Sequence, residues 1–497
     1  MKRLIVGLCR CAVVLIFWCT VLPQMQAQKH ADWLQWGRNA QHSGASTGVG
    51  QSPNHKLVDI TFDPFVDQEK AEEFGELLAH YQSPLVDGKR VFAEVKTGTY
   101  VSCDPPGSGQ PYPCGPDAWD SQIWNERGYQ WQNGALVQQW NFQSNWKPEP
   151  NAGGLGGWEP VFHVAVGDGF VFVPGFGGSI YKLNETDGSV IAHYKPFGKK
   201  DDPNAFVSGP LTYDEHGAVY YNAILLNSQN PWGVDIRSAW LVKVNASGKI
   251  KKVSYTTLVP GAPSNCGGSP CGSQRPGVNV APAVTPDGKT IYTMSRGHFA
   301  SDYGYMVAVN SDLTPKWQTS LRGLVPGADT YVYDLSSSTP VIATDGSPLY
   351  GALGDNGRGY LLKFDTSGHF TADYDFGWDE TPAIYPHDGT FSVILKDNHY
   401  GSGPYYMTQL NSALKIEWQY KSPTNREWCV NAPAVDANGV VYANSEDGNV
   451  YVINQGGTLK GKIFLRLAIG AAYTPVALGL NGKIYTENDG DMFVIGK

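Results

Sequence analysis

Charge is scarce in this chain. Only 17% of its 497 residues are Asp, Glu, Lys or Arg, and the 46 acidic side chains outnumber the 37 basic ones. A formal charge of −9 with no Lys/Arg block does not suit a phosphate backbone or an anionic lipid surface, so no nucleic acid is expected as a partner. Helical periodicity is equally scarce. Residues 67–80 (DQEKAEEFGELLAH) are the best helix candidate, an isolated connection rather than part of a bundle. Beyond the first residues no apolar run is long enough for a membrane span. The chain also lacks GxSxG, HExxH, a phosphate-binding P-loop and an EF-hand loop. Its 11 His are scattered; His80, His163, His298, His387 and His399 fall within or beside strands and turns, which favours satisfied surface side chains over a metal site.

What the chain does contain is turn chemistry and apolar material. It has 58 Gly and 33 Pro, with 41% hydrophobic and 12% aromatic residues. Gly, Pro, Asn and Asp punctuate short apolar runs throughout, the pattern of many strands joined by tight turns around a large core. The beginning reads as an export signal: Lys2, Arg3 and Arg10 precede or enter an apolar run ending near Leu22, and Ala27 offers a small residue for cleavage. Residues 1–27 are assigned to the signal and 28–497 to the mature domain, with a periplasmic or secreted destination. Cys19 lacks the small-residue context of a lipoprotein cleavage box. Cleavage removes the three basic residues and no acidic one, moving the formal charge from −9 to −12.

Three of the eight Cys leave with the signal. Cys103 with Cys114, and Cys266 with Cys271, each read as a local disulfide pinning a Pro/Gly-rich loop in an oxidising compartment. The alternative, a metal site, has no further His or Cys at ligand spacing. Cys429 stands alone and is expected as a buried thiol.

The stretch APAVDANGVVYANSEDGNVYVIN (432–454) shows how the chain is organised. A Pro-led strand, an Asp-Ala-Asn-Gly turn, a second strand, another polar turn and a third strand follow in 23 residues. The same phrase occurs eight times, on Pro84, Pro160, Pro210, Pro282, Pro340, Pro382, Pro433 and Pro475. Pro tolerates the first position of a strand, where an N–H is dispensable, and Gly after Asp or Asn supplies the positive φ of a hairpin. Most units continue into a strand ending in Asn or Asp, whose side chain opens the next turn, and then a fourth strand. Four short antiparallel strands cannot bury both faces alone, so such units must stack on neighbours. Radial stacking predicts an all-β fold, a single β-propeller of four-stranded antiparallel blades.

The last unit stops at Lys497 after three strands. Its fourth is expected from residues 55–62 (HKLVDITF) near the N-terminus, which would close the ring and remove an edge. Eight blades follow, seven being the alternative if the loop-rich unit after Glu159 is irregular.

This repeat resembles that of the pyrroloquinoline-quinone-like (PQQ-like) propellers, from about Ser83 to the end. Residues 32–44 (DWLQWGRNAQHSG) resemble the segment with which many such rings begin, with Trp33 and Trp36 capping the hydrophobic rim. The resemblance implies the fold more firmly than an activity. Its quinoprotein dehydrogenases carry quinone and calcium in the central channel, with an adjacent Cys-Cys disulfide, acidic and Asn ligands and a catalytic Asp. This chain has no adjacent Cys pair after the signal and no CxxCH haem motif, and Trp378-Asp379-Glu380 reads as a turn. The resemblance therefore points to the non-catalytic exported propellers that bind proteins or small ligands, with no catalytic residue and no cofactor expected. A PQQ- and calcium-dependent oxidoreductase is the alternative.

Two insertions, near 98–133 and 258–277, read as loops projecting from one face. In the first, Trp119, Trp124, Tyr129 and Trp131 are candidate ligand-contact aromatics, able to stack on sugar rings or cover a partner's apolar patch. A glycan-binding propeller is thus a second alternative. The competing expectation is that these rings plug the channel mouth and pack on Trp140, Trp146 and Trp158.

Overall fold

The computed structural model describes residues 33–72, 75–101, 121–149, 159–334, 338–377, 380–399, 403–428, 432–470, 475–479 and 481–497. They form eight antiparallel sheets of four or five strands, numbered here as blades 1 to 8 in chain order of their inner strands, and one separate two-stranded hairpin. The eight repeated prolines mark the blades: six lie immediately before an inner strand, as Pro84 does before Leu85–Asp87 and Pro433 before Ala434–Val435. In blades 3 to 5 the inner edge is split in two. Ala205–Val207 and Thr212–Tyr213, for example, both pair with Val219–Leu225, and Pro210, which has no N–H to give the ladder, sits in the gap. The unit after Glu159 is a complete sheet running from Ala165–Gly167 to Val190–Tyr194, so the ring has eight blades and not seven.

Blade 8 closes the ring. Its inner strands are Val476–Leu478, Ile484–Asn488 and Asp491–Gly496, and its outer strand is His55–Thr61, with Ile60 opposite Met492. The turns follow the side-chain chemistry read from the repeat. Asp436 Oδ1 accepts from the backbone N–H groups of Asn438 and Val440, and Asn411 Oδ1 from those of Ala413 and Lys415. The second strands are buried along their length, as in Thr290–Gly297.

The helix expected over 67–80 is shorter: the α-helix is Val66–Glu72, and Gly75 follows at φ +93°. A residue without Cβ takes this left-handed conformation at low cost and turns the chain away from the helix axis. Among the described residues no helix is long and apolar enough to cross a membrane.

Residues 33–51 do more than cap a rim. The inner strand of each blade has no sheet neighbour toward the axis, which leaves backbone donors and acceptors to satisfy. This segment supplies the partners blade by blade. Trp33 N–H donates to Val86 O (2.9 Å), Val166 N–H to Leu34 O (2.8 Å), and Tyr213 N–H to Gln35 Oε1 (2.6 Å). Val284, Ile342, Ile384 and Val435 N–H groups then donate to Ala40, Gln41, Ser43 and Gly44 carbonyls at 2.7–3.0 Å, and Gln51 N–H reaches Gly482 O at 2.8 Å. It is a strap that touches all eight blades in order.

Candidate functional site

The axis of the ring, where all inner strands converge, is the candidate site. The strap occupies one end of it. His42 is fully buried there; its Nδ1 lies 2.8 Å from Pro340 O and 3.1 Å from Thr339 Oγ1, in blade 5, while Nε2 lies 3.4 Å from Thr212 Oγ1, in blade 3. A carbonyl only accepts, so Nδ1 carries the hydrogen. His163, from blade 2, donates its own Nδ1–H to Val164 O at 2.8 Å, and its Nε2 has no hydrogen-bond partner among the described residues. The Trp36 ring meets His163 edge-on, 5.5 Å between centroids. Burial lowers His42 to about 4 and His163 to about 3, so both imidazoles are neutral at ordinary pH.

The other end is acidic and centred on Lys96, in the second strand of blade 1 (Arg90–Gly98). Its Nζ is fully buried and lies 2.7 Å from Asp63, 2.5 Å from Glu159 and 3.2 Å from Glu69. Tyr81 Oη donates to Asp63 at 2.8 Å and Trp124 Nε1 to Glu159 at 3.3 Å. Burial alone would lower the Lys96 ammonium, but Asp63, Glu159 and Glu69 outweigh it and hold it well above its usual range. These partners come from different places: Asp63 and Glu69 follow the closing strand, and Glu159 precedes blade 2. Lys96 therefore ties two segments to blade 1: the one after the closing strand of blade 8 and the one before blade 2.

Around this pairing lie carboxyls without a cation of their own. Glu94 and Glu126 face each other across neighbouring strands of blade 1, and Glu487 comes from the second strand of blade 8; all three are buried. Gln82 Nε2 donates to both Glu126 oxygens at 3.1 and 3.2 Å, whereas both Glu487 oxygens and Glu94 Oε2 have no hydrogen-bond partner among the described residues. Burial pushes all three carboxyls well above their usual range; Glu159 adds to it at Glu94, and Glu94 and Glu126 at Glu487. Burial also raises Glu69 to about 8, helped by Asp63 and opposed by Lys96. Burial and mutual repulsion favour the protonated form of these carboxyls. Among the described residues no group of three or more His, Cys, Asp or Glu is arranged to hold a metal ion.

The residues singled out in the sequence fall in several places. Cys266 and Cys271 are disulfide-bonded, with Cα atoms 5.1 Å apart, in a small hairpin of Asn265–Cys266 and Ser269–Pro270. Cys103, Cys114, Trp119, Trp158, Trp378, Asp379 and Cys429 lie outside the described residues. The loop reading of 98–133 needs correction, because Gln122–Gln132 is the third strand of blade 1. Trp124 is fully buried against Trp146, at 5.1 Å, and Tyr129 is buried, so neither offers a ring face to a ligand. Trp131 is half-buried and donates Nε1–H to Tyr485 Oη at 2.8 Å. In QIWNERGYQWQ the polar residues point to a polar interior, so the usual apolar/polar alternation that marks a strand is missing. His80, His163 and His298 are likewise buried rather than on the surface, while His387 and His399 are half-buried. Sequence reading missed Lys96 and the carboxyls around it. Their signal was present, since charged residues at alternate positions of a strand seldom face a core unless paired.

No protein-family model matches the sequence, and no curated relative does. Solved structures do match. The europium-containing methanol dehydrogenase superposes with TM-score 0.59 at 13% identity, over 92% of this chain and 89% of that one. The quinohemoprotein alcohol dehydrogenase from Comamonas testosteroni gives 0.56 at 13% identity, over 94% and 81%. BamB from Moraxella catarrhalis gives 0.45 at 14% identity, over 89% and 99%. At these identities the likeness is one of fold: the chain is an eight-bladed β-propeller, and its ring is similar to those of the two dehydrogenases.

Proposed function

We propose that this protein is an exported, non-catalytic PQQ-like propeller that serves as a binding scaffold for a protein or small ligand. The observation that carries the reading is the pairing of Lys96 with Asp63, Glu159 and Glu69 at 2.5–3.2 Å. Three carboxylates that could otherwise take a metal ion are engaged by a side-chain cation of the chain itself, and the strap that carries His42 and Trp36 is hydrogen-bonded to all eight blades. The residues do not fit a quinone–calcium centre in a second respect, since no adjacent Cys pair follows the signal. Propellers with an internally committed axis work through their faces and loops, where a rigid frame presents variable segments.

The shared fold with the two dehydrogenases supports the rival reading, a quinone-dependent oxidoreductase. Calorimetric titration of the purified chain with pyrroloquinoline quinone, with and without calcium, separates the two. The scaffold reading expects no heat of binding at high-micromolar quinone. Tight one-to-one binding that requires calcium would overturn it and call for a substrate screen.

A further inference from the structure

Three turns of blades 3 and 4, at residues 214–218, 245–247 and 287–289, meet around a cleft of about 440 Å³. Lys243, from the third strand of blade 3 (Ser238–Val244), lines it together with Ser311. Close approach shapes the cleft. The His216 ring lies against Gly288, which has φ +67° and where a Cβ would stand 2.5 Å from the imidazole Cδ2.

Lys243 has counterparts elsewhere in the repeat. Phe172, Tyr220 and Leu349 stand at the same distance from the first-turn glycine in blades 2, 3 and 5, and they pair with Lys182, Lys243 and Lys363. The residue before that glycine is Asp168 in blade 2 and Asp345 in blade 5. Asp345 lies 3.5 Å from Lys363 Nζ, and Asp168 attracts the Lys182 ammonium. In blade 3 this place is taken by His216, so Lys243 lacks the carboxylate that its sister lysines have. Lys243 Nζ donates to Ser311 O at 2.8 Å and lies over the Tyr220 ring at 5.0 Å, and neither contact supplies a full negative charge. Two carboxylates stand nearby, but their oxygens are already engaged. Asp214 accepts from His216 N–H, Ala218 N–H and Tyr220 Oη, and Asp312 accepts from Thr314 N–H and Oγ1. Lys251, opposite Lys243 on the outer strand, adds a like charge.

Lys289 reaches the cleft from the facing turn of blade 4. Its pairing with Asp287, at 3.4 Å between side chains 80% and 54% exposed, is of the kind that contributes little. Further polar groups complete the lining: the His216 ring nitrogens, Asn245 Nδ2 and Ser311 Oγ have no hydrogen-bond partner among the described residues. Two ammonium groups with surplus donors complement a doubly charged oxyanion, and lysine serves phosphate as a point charge. The volume falls within the roughly 300–1,000 Å³ of small-molecule sites and exceeds what a lone phosphate fills, which leaves Asn245 and Ser311 for a hydroxylated body. We propose that this cleft binds the phosphate monoester of a small polyol or sugar, its phosphate on Lys243 and Lys289. The cleft shares no residue with the strap or the Lys96 network, so the site stands whether or not the ring takes a quinone.

The test is a calorimetric titration of the full chain with glycerophosphate, against glycerol and inorganic phosphate, with melting followed in parallel. The ester should bind about tenfold more tightly than either part. His216→Asp, which restores the carboxylate present in blades 2 and 5, should cut ester affinity about tenfold and leave melting unchanged or raised. Lys289→Ala, at an exposed side chain, should weaken the ester severalfold, most at low salt, without altering melting. No ester binding at millimolar concentration, equal affinity for the ester and for glycerol or phosphate, or ester binding that either variant leaves unchanged would overturn the proposal.

Discussion

At the scale of single residues, the unusual feature is buried charge. Replacing one member of a buried ion pair costs about 3–5 kcal/mol, because the partner is left without compensation. Lys96 has three such partners, so its removal would be felt across the closure. The carboxyls without a cation behave differently. Glu94, Glu126 and Glu487 hold their protons more tightly folded than unfolded, so the folded chain binds more protons between the ordinary carboxylate range and the raised one. Their contribution to stability is full below the ordinary range and falls as pH rises toward the folded value, by about 1.4 kcal/mol for each pH unit that separates the two. His42 and His163 act in the opposite sense, losing stability as pH drops below their unfolded value near 6.5. Wild-type melting against pH mixes the two. Comparison with Glu487→Gln isolates the first: the variant should gain stability over wild type as pH rises from 5 to 8, by on the order of 1–3 kcal/mol at the upper end. A stability difference that is flat across this range would show that Glu487 is ionised in the fold.

At the scale of elements, the strap and the closing strand share one task, which is to leave no inner or outer edge unpaired where the ring closes. The strap's path depends on close approach. Gly44 has φ +60°, and a Cβ there would stand 2.8 Å from Ala383 Cβ and 2.9 Å from Pro433 O. Gly44→Ala combines the left-handed penalty of about 1–2 kcal/mol with an overlap against backbone of blade 7. It should lower the melting temperature and speed amide exchange at Ile384 and Val435, whose N–H groups donate to the strap. Unchanged exchange at both amides would mean that the strap is not needed to hold the inner strands. The strands themselves were legible because turn chemistry repeats; the helix's C-terminal limit and the third strand of blade 1 were not. A glycine ended the first early, and polar side chains facing a polar interior hid the second.

At the scale of the whole molecule, the chain is an acidic ring whose inner edges are bonded by its own strap and whose Lys96 is paired with its own carboxylates, which is the basis for proposing a presenting role. If the ring is exported, the mature protein should be recovered from the periplasm or the medium with its N-terminus near Gln28, as intact-mass measurement would show. Recovery of full-length chain in the cytoplasm would remove both the export reading and the oxidising setting assumed for the disulfides.

The sequence by itself determined the class of fold, the blade count with one alternative, and the closing strand. Each of these rests on local chemistry repeated in register: proline at a strand start, Asp or Asn with Gly at a turn, a final unit one strand short. Only the tertiary structure decided what lies on the axis. Lys96 meets Asp63 and Glu69 from one stretch of chain and Glu159 from another, and His42 meets Thr212 and Thr339 across 170 and 297 residues. Such meetings are made by ring closure, which brings distant residues to one axis and leaves no periodic mark in the chain.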